Sequence, residues 1–151
     1  MRVSAKTDYA VRAAVELAAS PGGPVKGEQL AEAQDIPLQF LEHILLDLKR
    51  AGIVRARRGA KGGYWLAKPA DEVNLAEVIR AVEGPIAHVQ SAPPESISYR
   101  GSAEGLQEVW IAVRASLREV LENVTLGQLA SGDLPDEVTR LAETRDAWQA
   151  R

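Results

Sequence analysis

The stretch "GIVRARRGAKGGYWLAKPA", residues 52–70, combines dense positive charge with the pattern of two short β-strands. Residues 53–58 have the two-residue alternation of a strand, and residues 64–67 favour β-structure until Pro69 ends the run. Between them lie glycines 59, 62 and 63, which supply the positive φ angles that a hairpin loop needs. The stretch therefore predicts a two-stranded ribbon with a basic, glycine-rich tip.

The charge of this ribbon contrasts with an acidic chain. The 151-residue protein has a net charge of −3, yet from Leu48 to Ala70 it has seven Lys and Arg and no Asp or Glu. Residues 1–70 carry 11 Lys and Arg against 7 Asp and Glu, whereas residues 71–151 carry 7 against 14. A basic first half is typical of a surface that faces a polyanion, with chance unevenness as the alternative.

Three helices are predicted before the ribbon, and a fourth is predicted directly after it. The sequence "SPGGP" at 20–24 ends the first, Pro37 opens the third, and Gly52 follows the third where a left-handed residue can stop it. Asn74 and Glu77 have the spacing of a capping box for the fourth. The predicted helices span Ser4 or Thr7 to about Ala19, Lys26 to Ala33, Pro37 to the residue before Gly52, and Leu75 to Val82.

The third helix has two distinct faces. An apolar stripe contains Leu38, Leu41, Ile44, Leu45 and Leu48, and the opposite face contains Gln39, Glu42, His43, Leu46 and Arg50. Three helices followed by a hairpin is the element order of a winged helix-turn-helix, which places its third helix in the major groove of DNA. The basic hairpin then lies against phosphates or in the minor groove, where negative potential is concentrated. We therefore predict a DNA-binding protein, with a winged-helix protein-interaction module as the alternative.

The composition excludes several other functions. The chain has no cysteine, and neither of its two histidines belongs to a Ser-His-Asp pattern or to a metal-spaced cluster. His88 beside Asp8 or Glu95 is a weak metal candidate, because a lone histidine in a loop is usually just exposed. No apolar run approaches the ~18 residues of a membrane span, and the first twenty residues lack a signal peptide. We expect a cytoplasmic protein that is not an enzyme and has no cofactor or metal.

The second half predicts a long helix that packs against another helix. From Ser102 to about Asn123 this helix has an apolar seam in alternating steps of four and three, as in coiled coils. With a seam this apolar, a partner helix is expected. The predicted interface consists of Leu106, Trp110, Val113, Leu117, Val120 and Val124. The chain thus divides into a winged helix-turn-helix domain (1–84), a loop (85–101), the dimerisation helix with a short following helix (102–132) and a charged tail (133–151), in a fold that is mostly α with a small β-hairpin wing.

The segment "SAKTDYAVRAAVELA" at 4–18, residues 36–84 and the helix after 102 resemble the Rrf-two family of bacterial transcriptional regulators over roughly residues 1–130. The most specific motif is R-G-x-x-G-G-Y-x-L, here Arg58 to Leu66. The resemblance implies a homodimer that crosses its long helices and binds a partly palindromic promoter operator. Repression is the simpler outcome, because a dimer on a promoter blocks polymerase without further parts.

The resemblance also implies roles for single residues. Arg58 matches the wing arginine that enters the minor groove, and Gln39, Glu42 and His43 match base-reading positions. Lys6, Tyr9 and Lys61 match supporting contacts to the DNA backbone. Pro37 and Phe40 stand where some relatives carry Ser and Tyr, which implies a different operator sequence. The predicted DNA-binding set is Arg58, Gln39, Glu42, His43, Lys61, Arg57, Lys6, Tyr9, Gly59 and Tyr64.

One departure from the family changes the expected chemistry. Cluster-binding relatives carry three cysteines before the long helix, and residues 87–105, "AHVQSAPPESISYRGSAEG", carry none. A [2Fe–2S] cluster is therefore excluded by composition, and redox or nitric-oxide sensing through one is excluded with it. Residues 86–101 still occupy the sensing position, so an effector, either a small molecule or a partner protein, is a hypothesis that rests on Tyr99, Arg100 and His88.

Overall fold

The computed structural model describes residues 1–150 and confirms a mostly helical protein with one small hairpin. Single 3-10 turns occur at Ala70–Glu72, Pro94–Ser96 and Gly101–Ala103. No helix within residues 1–150 has both the length and the apolarity that crossing a membrane requires. The helices and strands are α1 (Ala5–Ala18), α2 (Gly27–Gln34), α3 (Leu38–Arg50), β1 (Val54–Arg57), β2 (Gly63–Leu66), α4 (Leu75–Glu83), α5 (Leu106–Leu121), α6 (Leu126–Ser131) and α7 (Asp136–Ala142).

Local sequence explains where several helices begin and end. The Ser4 hydroxyl accepts a hydrogen bond from the Thr7 amide at 3.0 Å and caps α1. The Asn74 side chain accepts from the Glu77 amide at 3.0 Å and caps α4. Pro37 stands one residue before α3, and Gly52, with φ +75°, follows the end of that helix as expected.

The core lies between α1, α3, α4 and α6, and it orients α3. Ala10, Ala13 and Ala14 of α1 are fully buried, so that neighbouring helices approach closely at this face. The predicted apolar stripe of α3 is confirmed, since Leu41, Ile44, Leu45 and Leu48 are each at most 1% exposed. Burial of this stripe fixes which residues of α3 point to solvent.

The hairpin, called the wing below, is anchored to the loop between α1 and α2. Strand β1 pairs antiparallel with β2, with Val54 opposite Leu66 and Arg57 opposite Gly63. Val25 extends the pairing at the other edge of β2, where its amide donates to the Tyr64 carbonyl at 2.9 Å and its carbonyl accepts from the Tyr64 amide at 2.8 Å. The wing is thus held from both sides of β2.

Gly63 is required for this anchoring. Its φ is +146°, and a Cβ at this position would lie 2.6 Å from the Val25 carbonyl oxygen. Gly63→Ala is therefore expected to destabilise the protein by about 1–3 kcal/mol, since the wing must move away from residue 25. Thermal unfolding followed by circular dichroism measures the loss. Gly22→Ala is the matched control, because a Cβ there meets nothing within 4 Å; equal melting temperatures for both variants would contradict the prediction.

The structure corrects the end of the predicted dimer seam. Helix α5 begins at Leu106 rather than Ser102 and ends at Leu121. Val124 lies beyond its end and is 3% exposed, so it is buried within the protomer itself. Its carbonyl accepts the Leu75 amide at 2.9 Å. Val124 therefore faces inward, and only the other five seam residues, all half-buried, remain for an interface.

The segment before α5 is more ordered than the predicted loop. The Gln107 side-chain amide donates to the carbonyls of Pro94 (3.2 Å), Glu95 (3.3 Å) and Ile97 (2.6 Å), which holds the segment on α5. Glu95 also forms an ion pair with Arg114 at 2.7 Å. Hydrogen bonding from its own backbone amide, and then from Arg114, lowers the pKa of Glu95.

Candidate nucleic-acid interface

The outward face of α3 carries the predicted base-reading side chains. Gln39, Glu42 and His43 lie in the first two turns and are all exposed. The apolar residues Phe40 and Leu46 are 44% and 43% exposed on the same helix. Side chains in the first turns of such a helix are the ones that reach base edges in a major groove. The structure therefore places hydrogen-bonding and apolar groups together on one solvent-facing surface.

An edge-to-face pair of aromatic rings lies at the start of α3. The Tyr9 and Phe40 rings meet edge to face, with centroids 5.6 Å apart and an interplanar angle of 87°. The Arg12 guanidinium lies 4.8 Å from the Tyr9 ring centre and donates to the Gln34 carbonyl at 2.7 Å. Tyr9, predicted as a DNA contact, is half-buried and supports Phe40. The sequence links Phe40 to the choice of operator through the resemblance, but the predicted DNA-binding set does not include Phe40.

The tip of the wing is a braced turn. The Gly62 amide donates to the Gly59 carbonyl at 3.0 Å, and Gly59 has a φ of +101°. The Arg57 guanidinium donates to the Lys61 carbonyl at 2.9 Å, and the Lys26 ammonium donates to the Gly59 carbonyl at 2.6 Å. Arg57 is exposed while it braces the loop, so its charge still faces solvent. These bonds hold the tip in one conformation.

In the described part of the chain, Arg58 is one of two free cations at this tip. Its side chain is exposed, and no hydrogen bond or ion pair joins its guanidinium to any other residue within 1–150. The ammonium of Lys61 is likewise exposed and unpaired among these residues. Arg58 borders a cleft of about 490 Å³ between the wing and α3, which Glu42, Leu46 and Lys49 also line. The reading face and Arg58 therefore share one side of the molecule.

Tyr64 of the predicted set belongs to strand β2 of the wing, and its side chain packs against the core. Its side chain is half-buried against the hydrophobic core, and its ring is close enough to Gly27 that a Cβ there would lie 3.6 Å from Cε2. The geometry gives Tyr64 a role in anchoring β2.

Lys6 has an internal role in the structure, and its predicted phosphate contact stays a prediction. Its ammonium lies 2.8 Å from an Asp47 carboxylate oxygen and donates to the Val82 carbonyl at 3.0 Å. One side chain thereby ties α1 to α3 and α4. The hydrogen bond from Lys6 lowers the pKa of Asp47, against the opposing effect of partial burial, and the charges of Lys6 and Arg50 lower it further.

Asp47→Asn is expected to destabilise the protein by about 0.5–1 kcal/mol at neutral pH, because the ion pair is partly exposed. The folded pKa of Asp47 lies below the unfolded value of about 3.9, so the stabilisation is present above that value and is lost as the pH falls through the folded pKa. Denaturant unfolding at pH 7 and at about pH 3 measures the difference.

The more exposed pair of Glu137 with Arg140 provides the control for this prediction. Glu137→Gln is expected to change stability less at either pH, since both side chains are at least 42% exposed. If the difference in free energy of unfolding between wild type and Asp47→Asn were larger in acid than at pH 7, the predicted direction of the pH dependence would be wrong.

The donor groups present do not fit an iron–sulfur cluster. The chain has no cysteine, and residues 1–150 contain no group of three His, Cys, Asp or Glu that could hold a metal ion. Of the weak candidates, Asp8 pairs with Arg12 at 3.0 Å, Glu95 pairs with Arg114, and His88 is exposed.

Comparisons with known proteins show what the chain is similar to. The family model described as Rrf2, iron-dependent transcriptional regulator, matches residues 3–132. An inferred HTH-type transcriptional regulator of Mycobacterium tuberculosis is 48% identical over 151 residues, which covers 99% of this chain and 94% of that protein.

Two solved structures share the fold. CymR, the global cysteine regulator of B. subtilis, has a TM-score of 0.75 at 32% identity and covers 87% of this chain and 98% of its own. IscR of T. potens has a TM-score of 0.71 at 32% identity and covers 88% of this chain and 89% of its own. Because the family model matches most of the chain, the chain belongs to the Rrf2 family and is a DNA-binding transcriptional regulator of winged-helix fold, not an enzyme.

Proposed function

We propose that the protein acts as a homodimer that binds a partly palindromic promoter site and represses transcription there. The observation that carries this proposal is the exposed reading face of α3 beside the unpaired Arg58 of the wing. One surface thus offers both kinds of contact that DNA recognition needs, hydrogen bonding to base edges and positive charge for the backbone.

The first two turns of α3 enter the major groove in this proposal. Gln39 can pair with both edge groups of adenine, and Glu42 can accept from the amino group of cytosine. The wing enters the neighbouring minor groove with Arg58, and Lys61 and Arg57 lie against phosphates. Lys6 is left out of the contact set because its charge is already paired with Asp47.

The dimer is supported by the surface of α5. No residue of this 16-residue helix is buried in the protomer, and even the apolar residues Val109 and Ile111 are 53% and 37% exposed. An apolar groove along it is lined by Val109, Val113, Leu117, Val120 and, from other elements, Met1 and Leu141. Such a contiguous exposed patch marks a protein interface. A twofold axis there would present two α3 helices to successive major grooves of a palindromic site.

Repression and an effector complete the proposal. A dimer on a promoter in the cytoplasm blocks polymerase by occupancy alone. The segment 86–101 is proposed to receive an effector, although Tyr99 is half-buried and no hydrogen bond joins it to Arg100 or His88 within residues 1–150. Alanine at all three positions that leaves DNA affinity and every effector response unchanged would end the effector proposal.

The test begins with duplexes that the protein selects from a random-sequence pool. Fluorescence anisotropy then compares a selected duplex with its scrambled version at about 50 mM and about 200 mM salt. We expect binding that prefers the selected sequence and falls at least a hundredfold or so between these salts, because several phosphates are neutralised. Binding that ignores both sequence and salt would refute the proposal in favour of a protein-interaction module.

A further inference from the structure

We propose that Phe40 reads the C5-methyl group of a pyrimidine in the major groove, so that the protein distinguishes thymine from uracil and 5-methylcytosine from cytosine. The inference rests on the proposed docking of α3 and names a part of the operator that the polar side chains do not recognise. Phe40 is 44% exposed in the first turn of α3, next to Gln39 and one turn before His43.

The ring of Phe40 is held in place before DNA arrives. Tyr9 of α1 contacts it edge to face at 5.6 Å, and Arg12 covers Tyr9 at 4.8 Å. Arg12 is itself fixed by the Gln34 carbonyl at 2.7 Å and by Asp8 at 3.0 Å. Three helices therefore set the position of one exposed apolar ring. Such pre-organisation lowers the entropy that the contact loses when it forms.

The chemistry of the groove suggests what an exposed ring can recognise. Hydrogen-bonding groups on base edges suit Gln39, Glu42 and His43, and offer nothing to a phenyl ring. The methyl at C5 of thymine is the apolar feature of the major groove, and cytosine methylated at C5 carries the same group. Burial of one methyl group is worth about fourfold in affinity, hence about fifteenfold when both half-sites lose it.

The experiment uses the full-length protein and a duplex that it selects from a random pool. Each thymine of the bound region is replaced by deoxyuridine, in both half-sites together, and affinity is measured by anisotropy. We expect that at one symmetric pair of thymines the loss of both methyl groups weakens wild-type binding by about 15-fold. The Phe40→Ala variant is expected to bind the thymine duplex and the uracil duplex equally. At the same pair, 5-methylcytosine is expected to bind more tightly than cytosine only when Phe40 is present.

Leu46→Ala is the matched control, since Leu46 lies on the same helix and is 43% exposed. It is expected to keep the dependence on that thymine pair. The proposal is overturned if wild type is indifferent to every uracil, a result that needs no variant to fold. It is equally overturned if Leu46→Ala, and not Phe40→Ala, removes the effect. A wild type without any sequence preference would refute the proposed function itself, which separates the two failures.

Discussion

Arg58→Ala is expected to weaken binding to a selected duplex by at least roughly 30-fold, which corresponds to about 2 kcal/mol, without lowering the melting temperature. Arg58 makes no hydrogen bond or ion pair within residues 1–150, so its removal costs the folded protein nothing. In the proposed complex with DNA, the same freedom would let the guanidinium enter a narrow minor groove, where negative potential is strongest. A dimer presents two such wings, and both are lost in the variant.

The position of the charge matters as much as its sign. Arg55→Ala removes an equal charge from the same ribbon, opposite Trp65 and farther from the tip, and we expect a much smaller loss. Arg58→Lys keeps the charge without the planar fork and is expected to fall between wild type and Arg58→Ala. Anisotropy titrations over a range of salt give both affinity and salt slope. Equal losses for Arg58→Ala and Arg55→Ala would show that the wing contributes only general electrostatic attraction.

The wing and α3 could be predicted from sequence because their signals are local. Alternation in 53–58 and the glycines after it predicted the hairpin, and helical spacing predicted which face of α3 is buried. The structure confirms both. A glycine pattern is informative here because Gly63 faces the Val25 carbonyl with a positive φ, which other residues adopt only under strain.

Contacts between distant parts of the chain could not be predicted from the sequence. A lysine in α1 has the same local sequence whether it contacts DNA or, as Lys6 does, an aspartate 41 positions later. Val124 fits the spacing of α5, but Thr125 and Gln128 form a capping box that starts a new helix, and the chain turns inward there. The regular spacing of apolar residues in the sequence continues past the end of α5, whereas the helix itself ends there. The DNA-contacting roles of single residues stay predictions.

The dimer seam gives the other large expected effect. Val109→Asp is expected to convert the protein to a monomer at micromolar concentration, with the dimer weakened by at least about 100-fold. Val109 is 53% exposed in the protomer, so a carboxylate there stays hydrated and the fold is preserved. In a dimer built on the α5 groove, two carboxylates would instead be buried without partners. Sedimentation measures the shift away from twice the protomer mass of 16.3 kDa.

Ala115→Asp is the matched control, because Ala115 is exposed on α5 and lies half a turn away from the seam. It introduces the same charge on the same helix and is expected to leave the dimer intact. Loss of the dimer should lower the affinity for a palindromic duplex in Val109→Asp and not in Ala115→Asp, since separate protomers bind each half-site independently. If Val109→Asp still sediments as a dimer, α5 is not the interface. If it is a monomer that binds the palindrome as wild type does, recognition does not require two copies, and the twofold arrangement of the α3 helices is wrong.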